Sequence, residues 1–165
     1  MPIFCKGFSR ILGKTVTKND IKSHKVVGSV RLSASEIFQV QDEAWENWRE
    51  IPLTEKGLVR SLRVLIESAI QIVVATSGPQ RRAHLVQEWL RFNEVPYGEF
   101  YALGPKVLKT AITSDVLVDD APEQVKAFVD HQRTGILYTQ PWNVGVSIKG
   151  VIRVNSIHDV ERRYA

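Results

Sequence analysis

At 165 residues, with 44% hydrophobic and 24% charged residues, the chain has the size and composition of one globular domain with a real core. Its net charge of +4 is spread out, which suits phosphate-bearing ligands and argues against nucleic acid as the partner. A single cysteine, Cys5, leaves no internal disulfide; no apolar run approaches the ~20 residues of a membrane helix, and no signal-peptide layout opens the chain, so a cytoplasmic protein away from membranes is expected. The chain divides near Pro52. Before it the pattern is mostly helical, with no strong strand. Thr17-Lys18-Asn19-Asp20 and Ser33-Ala34-Ser35-Glu36 read as capping boxes. The second opens a helix that places Ile37, Val40, Ala44, Trp45 and Trp48 on one packing face.

After Pro52 helices and strands alternate. A helix from Thr54 carries Leu58, Leu62, Leu65, Ile66 and Ala69, and a strand over 71–76 follows. Next come a helix opening at Pro79 with Val86, Trp89 and Leu90 inward, a strand over 99–103, and a short helix over 105–113. A strand over 116–120 leads into a helix from Pro122, then a strand over 134–139 and the loop Gln140-Pro141-Trp142-Asn143. A last strand over 151–154 precedes a helix capped by Ser156, with Asp159 in its first turn. Short apolar strands alternating with helices predict an α/β fold built on a parallel sheet.

Open α/β sheets bind ligands at the carboxyl ends of their strands, so those ends are the places to look. Val116-Leu117-Val118 delivers two adjacent carboxylates, Asp119 and Asp120, to the start of the Pro122 helix. Like charges side by side are unfavourable unless a cation lies between them, which suggests a Mg²⁺ site; a solvated turn serving as a helix cap is the plainer reading. Thr76, Ser77 and the flexible Gly78 lie before a helix start, a suitable phosphate cradle, although an ordinary N-cap has the same composition. Lys106 sits where a cation opposes the helix dipole unless an anion is near. His24, His84, His131 and His158 form neither a metal spacing nor a catalytic set, and Cys5 has no partner that marks a nucleophile.

A hydroxyl, a lysine and paired acids in this order resemble the haloacid dehalogenase-like phosphohydrolase superfamily. Thr76 is similar to its second motif, Lys106 to its third (Lys109 being the second choice), and Asp119-Asp120 to its fourth. Within it, Val118-Asp119-Asp120-Ala121-Pro122-Glu123, Gln140-Pro141-Trp142-Asn143 and Arg153-Val154-Asn155-Ser156 resemble the 5'(3')-deoxyribonucleotidase branch. The resemblance implies a three-layer Rossmann-like core over 52–165 and a helical cap region over 1–51. It also implies a Mg²⁺-dependent phosphohydrolase similar to 5'-nucleotidases, taking a nucleoside monophosphate or similar phosphomonoester. Phosphate falls to Thr76, Ser77 and Lys106, and the metal to Asp119 and Asp120.

One motif departs from the pattern. The superfamily's first motif, Asp-x-Asp on the central strand, supplies the attacking carboxylate, and nothing before residue 52 matches it. The only aspartates there, Asp20 and Asp42, lie in helical surroundings, and Lys6-Gly7-Phe8-Ser9-Arg10 resembles the segment just after the motif. No catalytic nucleophile is therefore expected, and the chain as it stands is expected to be inactive. The alternatives are a non-catalytic phosphate-binding or protein-interaction domain on the same fold, or a start codon further upstream. The resemblance places the absent strand between those ending at Thr76 and Asp119. Pro2-Ile3-Phe4-Cys5 is expected to fill that slot as a short strand, bringing Lys6 toward the acids.

Overall fold

The computed structural model describes residues 3–23, 26–27 and 30–165. Pro2 and His24, on which two of the expectations fall, lie outside the described residues. The first element is a helix, α1 (Ile3–Leu12), so the expected slot-filling strand is overturned. Phe4, Phe8, Ile11 and Leu12 recur at helical spacing and pack in one cluster with Val16, Val27, Leu32 and Val40. Four residues were too short a window to tell that period from a strand's. Gly7 lets α1 approach its partner helix, since a Cβ there would lie 2.9 Å from Val40.

A capped 3-10 turn, Lys18–Asp20, follows, as its capping box predicts. Then β1 (Ile21–Ser23), β2 (Val26–Val27) and β3 (Val30–Arg31) form a small antiparallel sheet. The sequence before Pro52 predicts mostly helix and no strong strand; strands of two or three residues leave no periodicity to detect. The Ser33 capping box opens α2 (Ala34–Glu46), whose side chain accepts from the Glu36 N–H as expected.

The remainder alternates as predicted. Gly57, at φ +89°, delays α3 (Leu58–Glu67) by four residues relative to the expected start. It leads to β4 (Val73–Ser77), a 3-10 turn (Gln80–Arg82), α4 (Ala83–Phe92) and β5 (Glu99–Leu103). β4 and β5 pair in parallel, with Thr76 opposite Ala102. Then come β6 (Val116–Asp119), α5 (Pro122–Asp130), β7 (Thr134–Tyr138), β8 (Ile152–Val154) and α6 (Ile157–Tyr164). β6, β7 and β8 form a second parallel sheet, with Asp119 opposite Leu137.

The helix expected over 105–113 is absent. Gly104 to Val107 form a turn and Lys109–Ala111 a single 3-10 turn, because β-branched Val107, Thr110, Ile112 and Thr113 give an α-helix little support.

Two cores meet on α3, where Leu62 packs against both. One joins Val86, Leu90 and Val95 with Val74 and Phe100; the other joins Leu65, Ile136, Val154 and Val160 with Ile72, Val116 and Val118. Gly135 lets α5 sit directly on β7, since a Cβ there would lie 2.7 Å from the Val125 carbonyl oxygen. Among the described residues no ladder joins β4 to β6. The two strands that the resemblance places on either side of the slot therefore do not pair directly among those residues either. None of the described helices is long and apolar enough to cross a membrane.

Candidate functional site

The three apolar residues of β6 carry Asp119 to the end of the strand, where it is only 7% exposed. A carboxylate so placed needs its charge answered, because burial penalises an isolated ion heavily. Lys109 answers it. Its Nζ donates to Asp119 Oδ2, and the two side chains are 14% and 4% exposed. The other oxygen, Oδ1, accepts the Ala121 N–H at 2.9 Å, fixing the carboxylate against the turn into α5. The Lys109 backbone N–H donates to Gln124 Oε1 on α5 at 2.8 Å, so lysine and acid are referred to the same helix.

Asp120 is held through its main chain. Asn143, fully buried, donates from Nδ2 to the Asp120 carbonyl and to the Tyr138 carbonyl, both at 2.8 Å. Its Oδ1 accepts from the Gln140 N–H and from Arg153 Nη1, each at 3.1 Å, and Arg153 Nη2 donates to the Asn143 carbonyl at 3.1 Å. The loop over 140–143 is thereby folded onto the end of β6, and the fragments Gln140–Asn143 and Arg153 acquire a shared task. They fix where the second acid leaves the strand.

The other candidates stand apart. Thr76 and Ser77 close β4, and their hydroxyls make no hydrogen bond to another described residue; the Gly78 N–H donates to the Leu103 carbonyl at 3.2 Å. Lys106 is exposed in the turn after β5 and forms no ion pair with a described residue. The lysine that reaches Asp119 is Lys109, the second choice from sequence. Sequence reasoning passed over Gln124 and Arg133. Arg133 donates to the Thr110, Ile112 and Ser114 carbonyls just beyond Lys109, and its only local signal was a position between a helix end and a strand.

Among the described residues no three His, Cys, Asp or Glu side chains gather into a metal-holding group. Mg²⁺ asks for less, being commonly held by one or two carboxylates together with waters and substrate phosphate. Asp119 and Asp120 carry carboxylate oxygens, hard donors of the kind that metal takes.

A family model described as "5' nucleotidase, deoxy (Pyrimidine), cytosolic type C protein" matches residues 5–164. No curated protein and no solved structure matches the chain.

Proposed function

We propose that the chain, which belongs to the cytosolic type C 5'-nucleotidase family, a group of haloacid dehalogenase-like nucleotidases, is a cytoplasmic binder of nucleoside monophosphates through their phosphate. The observation that carries this is the Lys109–Asp119 pair at the end of β6. An ammonium held in place by a buried carboxylate offers a dianion a preorganised positive charge without a free side chain having to be ordered on binding. Thr76 and Ser77 would donate their uncommitted hydroxyls to the phosphate oxygens, while Lys109 turns part of its hydrogen-bonding capacity toward them. Asp119 and Asp120 would hold Mg²⁺, which supplies neutralisation of phosphate charge when bound. Residues 1–51 serve as the cap region and 52–165 as the core that carries the site.

No Asp-x-Asp precedes residue 52, so these 165 residues are proposed to bind phosphomonoesters without hydrolysing them. The test is thermal melting with millimolar Mg²⁺ and inorganic phosphate or a pyrimidine deoxynucleoside monophosphate. A ligand that binds only the native state at about 100 times its Kd adds ~2.7 kcal/mol of stability. The melting temperature is expected to rise in the wild type and in Lys106→Ala, and to stay flat in Thr76→Val. No rise in the wild type sinks the binding reading. Phosphate release that Asp119→Asn abolishes sinks the non-catalytic part alone.

A further inference from the structure

Lys109 belongs to a segment with little structure of its own. Between β5 and β6 the chain has one turn at residues 104–107 and a single 3-10 turn at Lys109–Ala111. Such a stretch ordinarily samples many conformations, and a lysine on it would wander. Something outside the segment must therefore fix the buried ammonium at Asp119.

We infer that Arg133 is the positioning residue that holds Lys109 beside Asp119. Its Nη2 donates to the Thr110 carbonyl at 2.7 Å, and its Nη1 to the Ile112 and Ser114 carbonyls at 2.7 and 3.2 Å. Three acceptors within the five residues after Lys109 thus converge on one planar group. No carboxylate pairs with Arg133 among the described residues, so its donors toward this segment serve main-chain carbonyls alone. The guanidinium carbon lies 4.0 Å from the Phe128 ring centroid, and that ring is 1% exposed, which fixes the plane of the fork.

The position of Arg133 is itself determined by the end of α5. Gln132 takes a left-handed conformation at φ +60°, the Gln132 N–H donates to Val129, and the Arg133 N–H reaches back to Phe128 at 3.0 Å. These are the two hydrogen bonds of a Schellman turn. The next N–H, of Thr134, donates to the Asp115 carbonyl at 3.0 Å, so the end of the segment is pinned where β6 begins. At the near end Gln124 takes the Lys109 N–H. α5 and the turn that ends it therefore grip the lysine-bearing segment at two places, through Gln124 at Lys109 and Arg133 after it. The same helix starts two residues after Asp120. Acid and lysine share one rigid reference, and Arg133 supplies the half of it that spans the longer stretch.

The inference rests on the reading of Lys109 as the phosphate cation, but its test does not need phosphate. Each lysine of the full chain is labelled with an amine-reactive acetylating reagent for short times, and site-by-site rates are read by mass spectrometry. Lys126, whose side chain is 59% exposed, is the internal reference. Lys109 is expected to react slowly in the wild type. In Arg133→Ala its rate relative to Lys126 is expected to rise by about tenfold, the size of a local opening that costs ~1.4 kcal/mol less. Arg133→Lys is expected not to restore protection, because one ammonium cannot span three carbonyls as a fork does.

A lowered melting temperature with the Lys109 rate unchanged would show that Arg133 is merely structural and overturn the inference. If Arg133→Ala does not fold, Arg133→Lys decides: continued protection of Lys109 there overturns it equally. Should the wild type show no phosphate-dependent melting shift while Arg133→Ala still exposes Lys109, the phosphate reading fails and the positioning role stands.

Discussion

The carboxyl ends of β4 and β6 are organised in opposite ways. At β6 both oxygens of Asp119, the Asp120 carbonyl and every polar atom of the Asn143 amide already have protein partners. At β4 the Thr76 and Ser77 hydroxyls have none among the described residues. Charges cannot wait for a ligand in a partly buried place, because an uncompensated ion there is too unfavourable, whereas hydroxyls at the surface can be left to water at little cost. The chain stores its preorganisation where charge demands it and leaves its adaptable donors open.

The difference can be tested by substitution, beginning with the largest expected effect. Asp119→Ala strands the buried Lys109 ammonium and is expected to lower unfolding free energy by about 4 kcal/mol. The double variant Lys109→Met, Asp119→Leu should recover most of that loss in urea titrations. A recovery of nothing would mean that the pair does not act as a unit. Asn143→Ala removes the amide that ties Asp120, Tyr138, Gln140 and Arg153 together and leaves buried groups unsatisfied, for about 2–3 kcal/mol. Thr76→Val at the open end should stay within about 0.5 kcal/mol of the wild type, even though it is expected to abolish the phosphate-dependent melting shift. A larger loss would show that the hydroxyl is already committed within the fold.

How much of this was legible in the sequence tracks the same division. The acids at the end of β6 could be read directly, because an apolar run, two carboxylates and a proline at the first helical position are all local signals. The strands β5, β6 and β7 and the Ser156 cap were found for the same reason. The choice of lysine was not local. The helix expected over 105–113 put Lys106 in its first turn, whereas in the turn that forms Lys109 reaches Asp119, and Gln124 and Arg133 hydrogen-bond to the segment that carries it. At the amino end, Ile3-Phe4-Cys5 fits a strand until Phe8, Ile11 and Leu12 are read with it, and β1 to β3 are too short to show any period.

The missing ladder between β4 and β6 also bears on how the chain behaves in crowded solution. Among the described residues two short parallel sheets have four lateral edges, where one continuous sheet of the same five strands would have two. The outer edges carry deterrents: Glu99 lies on β5 and Arg153 on β8. β4, Val73-Val74-Ala75-Thr76-Ser77, contains no charge and no proline, the usual guards against pairing with a foreign strand, whereas β6 ends in the charged Asp119. Non-native association during refolding or concentration is expected to start at the β4 edge, where no charge stands guard.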